Sequence, residues 1–351
     1  MRRYFVDKVG SVTRNVGIGK EVRLTDQIVA EEGYVLAGRI LNSKRSYNTL
    51  EDPSGRMMAL QEGDRVAVVL GHRNALHGYS GIVPDSIKPG DVIHMLNIGG
   101  VAGHCTSANP SVGPPFEIEV AGAVLTFPEF ESRTGIPAHI RMNALSPRTA
   151  YADASPVPLV LIAGTCMNSG KTIAAAQLVR HLASAGLKVG AAKLTGVSLM
   201  RDTLEMMDYG ARWALSFTDA GITTTSPQAA VGTAHTVLAG LAEKGADVIV
   251  AELGDGIMGQ YGVQEILSDP VIQDRLTCLV FCANDPVGAW GGVEALRQDY
   301  GLDISVLTGP ATDNEAGSSF IRDTLGVTAK NAFADSAGYG AAVLDKLGIA
   351  K

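Results

Sequence analysis

The chain has 351 residues, 46% of them hydrophobic and 19% charged, with 41 glycines and a formal net charge of −7. That composition excludes a disordered chain and leaves room for two folded domains. The acidic balance, with no basic run of five or more, argues against nucleic acid or an anionic membrane as the partner. No apolar stretch reaches the roughly 18 residues a membrane span needs, and the start, "MRRYFVDKVG", lacks the apolar core of a signal peptide. The four cysteines (Cys105, Cys166, Cys278, Cys282) form no CxxC pair. A reduced, cytoplasmic protein is therefore expected.

In chain order, the first 145 residues read as short strands separated by Gly, Pro and Asp turns. The strand-like runs are "GYVLAGRIL" (33–41), "DRVAVVLG" (64–71), "DVIHMLNIGG" (91–100) and "FEIEVAGAVLTF" (116–127). Short strands at this spacing predict a small β-rich, barrel-like domain over 1–145. "RLTDQIVAEEG" (23–33) is expected to be a helix capped by Thr25 or Asp26. "LGHRNALHGYSGIVP" (70–84) and "LNIGGVAGHCTSANPSVGPP" (96–115) are glycine-rich and read either as binding loops or as plain barrel turns. His72, His77, His94 and His104 with Cys105 invite a zinc reading, but their spacings match no compact zinc site.

Residues 146–157 are rich in Ala, Ser, Pro and Asp and read as a linker. From 158 to 351 the rhythm changes. Five apolar runs, "LVLIAG", "KVGAAKL", "DVIVAEL", "TCLVFCA" and "DISVLTG", alternate with helical windows that end in glycine. Strands buried on both faces between helices predict an α/β domain with a mostly parallel sheet.

The first of these strands runs into "GTCMNSGKT", Gly164 to Thr172. A glycine loop between a buried strand and a helix is the setting of a phosphate-binding loop, where unpaired N–H groups and the helix dipole attract anions. Gly164, Thr165, Asn168, Ser169 and Gly170 would line the phosphates. Lys171 would reach the terminal phosphates and Thr172 would offer its hydroxyl to Mg²⁺. Five residues separate the two glycines here, one more than in the usual loop. Cys166 is read as a small filler rather than a redox handle.

The form G-T-x-x-x-x-G-K-T resembles the loop of dethiobiotin synthetases, whose branch of P-loop proteins includes cobyrinate-type amidoligases and MobB-type factors. "GLKVGAAKLTG" is similar to their second strand and turn, with Lys193 as the substrate-side lysine and Leu194 in place of a proline. "ADVIVAELGDGIMG" resembles their acidic, glycine-rich segment, with Glu252 in the metal position. In "MRDTLEMMDYGARWALSFTDAG", Asp202, Asp208 and Asp219 are candidates for the second acidic partner of Mg²⁺, and Asp208 has the best spacing. That stretch is also similar to a two-domain P-loop group that contains D-glutamate N-acetyltransferases. Asn284, Asp285 and Asn314 follow the last two strands, on the ligand side of the sheet, and are expected to read the base or substrate.

The resemblance covers residues 158–350 and implies an enzyme that uses ATP, with GTP as the alternative, and Mg²⁺ to activate a small carboxylated substrate. It leaves open a MobB-like nucleotide-binding regulator and an acyltransferase that holds coenzyme A on the loop. A homo-oligomer is also implied by the relatives.

Overall fold

The computed structural model describes residues 1–128, 134–148, 151 and 156–349. Two compact units divide the chain. The first is Met1–Leu145 with Val197–Arg201 and Thr218–Thr224, and the second is Ser146–Gly196, Asp202–Phe217 and Thr225–Lys351. The division is therefore not contiguous: two short loop segments from the second half of the sequence group with the first unit. The linker expected at 146–157 lies partly outside the described residues.

The first unit contains β1 (Arg2–Phe5), β2 (Lys8–Val9), β3 (Glu21–Thr25), β4 (Val35–Ile40), β5 (Thr49–Glu51), β6 (Met57–Ala59), β7 (Arg65–Leu70), β8 (Arg73–Asn74), β9 (Tyr79–Ile82), β10 (Val92–Met95), β11 (Val101–Ala108), β12 (Glu117–Thr126) and β13 (Ile136–Pro137). Pairing runs β12–β4–β7–β11–β10 and returns from β10 to β12, so five strands close on themselves. Closure removes the unpaired edges an open sheet would carry.

Alternate residues of β4 and β7 separate into two cores. Leu36, Ile40, Val66, Val68 and Leu70 pack with Ile93, Met95, Ile118 and Val120. Val35, Ala37, Ala67 and Val69 pack with Val9, Val12 and Leu24. Both faces of these strands are covered, which is why "VAVVL" reads as an unbroken apolar run.

The helix expected at 23–33 does not form. Glu21–Thr25 is strand β3, paired with β1 and β12, and Leu24 is fully buried. The Thr25 hydroxyl accepts from the Gln27 amide just after the strand, a local turn rather than a helix cap. Two flanking partners for the backbone outweigh a modest helical preference.

The second unit runs β14 (Leu159–Gly164), α1 (Lys171–Ser184), β15 (Val189–Lys193), α2 (Arg201–Asp208), β16 (Trp213–Ser216), α3 (Pro227–Glu243), β17 (Val248–Glu252), α4 (Val263–Ser268), α5 (Pro270–Arg275), β18 (Leu276–Cys282), α6 (Pro286–Tyr300), β19 (Val306–Thr308), α7 (Glu315–Ser319) and α8 (Ser336–Lys346). Its six strands are all parallel, in the order β16-β15-β17-β14-β18-β19. Val160 and Ile162 of β14 face a core shared with α1 and α8, while Leu159, Leu161 and Ala163 are equally buried on the opposite face. The α/β architecture with flanking helices is the one the apolar runs predict. The sixth strand, β16, escapes a reading by apolar runs because it is an edge strand and only Ser216 in it is fully buried.

Candidate functional site

Strand order places the central strand β14 between β17 and β18, with β15 beyond β17. The chain thus leaves β14 toward one side of the sheet and later returns to its other side. Open α/β sheets bind ligands at the carboxyl ends of strands where such a reversal occurs. The loop Gly164–Thr172 stands at that place.

Local geometry of the loop follows from its residues. Gly164 admits no side chain: a Cβ would come within 2.5 Å of the Ser169 hydroxyl and 2.8 Å of the Cys282 carbonyl. Asn168 and Gly170 both have left-handed backbone, at φ 63 and 93. Asparagine and glycine are the residues that tolerate this conformation. Two such residues, two positions apart, turn the longer loop twice before α1. Gly170 then starts α1 without a side-chain cap, leaving the first turn of a 14-residue helix to receive another acceptor.

Lys171 is only 5% exposed, and its Nζ donates to the loop's own Cys166 carbonyl at 2.7 Å and to Ser169 Oγ at 3.4 Å. Burial lowers its pKa, against the pull of Glu252. Thr172 Oγ1 donates to Glu252 Oε1 at 3.3 Å. Glu252, at the end of β17, is 1% exposed, and its Oε2 is buried with no hydrogen-bond partner. Lys193, at the end of β15, donates to Glu252 Oε1 at 2.5 Å and pairs with Asp202 Oδ2 at 2.7 Å. Burial opposes its charge, but Asp202 and Glu252 outweigh that and raise its pKa.

Thr172, Glu252, Lys193 and Asp202 therefore form one bonded group at the ends of β14, β15 and β17, and Lys171, beside Thr172 in the chain, feels the charges of Glu252 and Lys193. Asp202 is the acidic residue of its segment that the fold brings there, one residue into α2. Asp208 does not reach it: it is exposed at the opposite end of that eight-residue helix. A helix separates residues six apart by about 9 Å along its axis. Asp219 lies in the first unit, where it pairs with Arg14 at 3.0 Å. Lys193 is fully engaged by carboxylates rather than presented as a free substrate lysine.

Asn284 follows β18 and donates from Nδ2 to Cys166 Sγ at 3.1 Å, with Oδ1 buried and without a partner. Asn314 is exposed and accepts from the Gly317 amide at 3.3 Å as the cap of α7, and Asp285 caps α6 in the same way at 2.7 Å. Thr165 lies at the start of the loop, its amide bonded to the Cys282 carbonyl at 3.0 Å. Asp255, which sequence reasoning did not single out, stands three residues past Glu252 in a left-handed conformation at φ 74. Burial raises its pKa while Lys171 pulls it down, so it belongs to the same charge cluster. Its signal in the sequence was a bare Asp between two glycines.

In the barrel unit, His94 Nδ1 accepts from the Cys105 amide at 3.1 Å, and the His94 and His104 rings meet edge-on. Among the described residues no three His, Cys, Asp or Glu side chains are placed to hold a metal. No described helix is long and apolar enough to cross a membrane.

No family model matches the chain, and no curated protein does. Solved structures are similar to it at a low level. The signal recognition particle receptor FtsY from Elizabethkingia anophelis is 15% identical with a TM-score of 0.39, covering 59% of this chain and 68% of that one. The Signal Recognition Particle 54 kDa protein from Aeropyrum pernix K1, in complex with GDP, is 17% identical with a TM-score of 0.37 over 56% of this chain and 47% of that one. The hydrogenase maturation factor HypB from Archaeoglobus fulgidus is 16% identical with a TM-score of 0.30 over 56% and 79%. Likeness of this degree carries no argument about activity. The second unit has a P-loop fold by its own strand order and its strand–loop–helix geometry.

Proposed function

We propose that the second unit binds a nucleoside triphosphate, ATP before GTP, with Mg²⁺, and uses it to activate the carboxylate of a small molecule, in the manner of the dethiobiotin synthetase-like branch. The observation that carries this reading is the convergence of Lys171, Thr172, Lys193, Asp202 and Glu252 on the phosphate loop.

The donor set suits a hard divalent cation. Thr172 offers a hydroxyl and Glu252 a carboxylate whose Oε2 lacks any partner, and Mg²⁺ takes oxygen ligands of this kind. Bound there, Mg²⁺ would neutralise charge on the phosphate oxygens. Lys171 is held ready on a neutral carbonyl, a contact it can exchange for a phosphate oxygen with a gain in charge complementarity. Lys193 keeps Asp202 and Glu252 from repelling each other and fixes a positive charge next to Thr172. In the reaction a substrate carboxylate oxygen bonds to the terminal phosphorus as the bond to the diphosphate leaving group breaks. An amine nitrogen then bonds to the acyl carbon as the bond to phosphate breaks, releasing phosphate and a proton, and positioning supplies much of the catalysis.

Two measurements test this. ATP with Mg²⁺ should raise the melting temperature of the wild type and leave Lys171→Ala unshifted. With hydroxylamine added, a panel of small carboxylic and amino acids should give a hydroxamate and ADP for at least one member. ATP binding with hydrolysis only in the presence of a protein partner would favour a MobB-like regulator instead. Coenzyme A binding that competes with ATP would favour the acyltransferase.

A further inference from the structure

Among the described residues of the barrel unit, Arg73 and Lys44 are cations without a carboxylate partner. Arg73, on β8, is 7% exposed. Its Nη1 donates to the Tyr47 hydroxyl at 2.9 Å and to the Leu96 carbonyl, while Nε is buried with no hydrogen-bond partner. Lys44 donates to the Tyr79 hydroxyl and to the carbonyls of Val112, at 3.1 Å, and Pro114. Every one of these acceptors is neutral. Among the described residues neither cation has an Asp or Glu partner.

The two are joined by tyrosines. The Tyr47 ring meets the Tyr79 ring edge-on at 5.7 Å, the Arg73 guanidinium lies 5.7 Å from the Tyr47 ring centre, and Lys44 Nζ lies 5.0 Å from that of Tyr79. Burial pushes the Tyr79 hydroxyl up to about 12, so it stays protonated and supplies no counter-charge. Burial likewise raises the nearby Cys105 thiol, on which both cations act. Tyr47 has left-handed backbone, at φ 52, which is uncommon for a bulky residue. Strain of this kind persists where surrounding structure enforces it, often at ligand clamps.

A guanidinium keeps its proton at any ordinary pH, and a buried charge without a counter-ion is costly. Buried charges in folded proteins are accordingly paired or take a ligand, and a chain with net charge −7 has no shortage of acids to supply. We infer that Arg73 binds a small oxyanion, a carboxylate or phosphate group, at its unpartnered Nε, with Lys44 adding positive charge while its own donors stay on Tyr79, Val112 and Pro114. A planar or tetrahedral oxyanion matches a guanidinium edge with two parallel hydrogen bonds. Gly78 lies beside the same guanidinium, where a Cβ would come within 2.6 Å of Nη2, so only glycine leaves that side of Arg73 open. The inference is independent of the nucleotide reading of the other unit.

The test uses the full chain carrying Lys171→Ala, so that phosphate on the loop of the second unit does not count. Isothermal titration with inorganic phosphate and, separately, with glutarate should show saturable binding in at least one arm. Arg73→Gln should weaken it by about tenfold or more, the usual effect of losing one charge-assisted hydrogen bond. Because Arg73 is buried and its loss also removes the bonds to Tyr47 and Leu96, a second readout keeps Arg73 intact: the bound anion should slow alkylation of Cys105 by iodoacetamide, followed by peptide mapping, relative to chloride at equal ionic strength. Binding in the phosphate arm alone assigns a phosphoryl ligand, and in the glutarate arm alone a carboxylate. No saturable binding of either anion, or binding that Arg73→Gln leaves unchanged while Cys105 reacts at an unchanged rate, overturns the proposal.

Discussion

The ammonium of Lys193 donates to Glu252 Oε1 at 2.5 Å, and Thr172 donates to the same oxygen at 3.3 Å. A lysine thus stands on the carboxylate that the proposed cation would share. Its removal takes away the buried positive charge that Glu252 and Asp202 share. Breaking a buried pair by deleting one partner typically costs about 3–5 kcal/mol. Lys193→Met should lose stability of that order in urea denaturation. Added Mg²⁺ should restore more stability to the variant than to the wild type, because the cation then replaces the charge that Lys193 supplied. An equal effect of Mg²⁺ on both proteins would remove Glu252 from the cation site.

Lys171→Ala addresses the loop itself. Lys171 is satisfied by a loop carbonyl and a hydroxyl, so its truncation should change the stability of the free protein only modestly. The effect should appear with nucleotide. A ligand at about 100 times its Kd stabilises the native state by about 2.7 kcal/mol. Differential scanning fluorimetry with ATP and Mg²⁺ should show that gain in the wild type and none in the variant.

Asp202 and Asp208 share one helix and separate cleanly in experiment. Asp202→Asn removes a charged partner from buried Lys193 and should cost about 1–3 kcal/mol. Asp208→Asn changes an exposed side chain and should stay within about 0.5 kcal/mol. The same order should hold for the Mg²⁺-dependent part of nucleotide binding. A larger loss from Asp208 in either measurement would return that residue to the site.

The Lys193 cluster also sets a direction with pH. Burial alone would lower the pKa of Lys193, yet Asp202 and Glu252 hold it above the ordinary 10.5. The folded state therefore binds this proton more tightly than the unfolded chain. Its stabilising contribution is complete below pH 10.5 and is lost as the pH rises past 10.5 toward the folded value. The stability gap between wild type and Lys193→Met should be constant from pH 8 to 10 and narrow above 10.5. A gap that persists unchanged to pH 12 would mean that lost packing, not charge pairing, separates the two proteins.

What the sequence determined by itself was local in origin. Runs such as "LVLIAG" and "DVIVAEL" announce strands buried on both faces, and the glycine-ended helical windows between them dictate parallel pairing. The Gly-Lys-Thr ending shows where a strand meets a helix, since glycine permits the left-handed turn at Gly170. The edge strand β16 and the bend after Thr25 were not legible, because partial burial and cross-strand pairing leave little trace in composition. Only the tertiary structure decided which charges meet. Asp202, Asp208 and Asp219 look alike along the chain. Helix α2 turns the first toward Lys193 and the second into solvent, and the third pairs with Arg14 within the first unit. Nor does any spacing reveal that Lys44 and Arg73, 29 residues apart, share a cluster of tyrosines and, among the described residues, have no carboxylate partner. Coulombic partnership depends on distance in space, and strand order and helix phase set that distance.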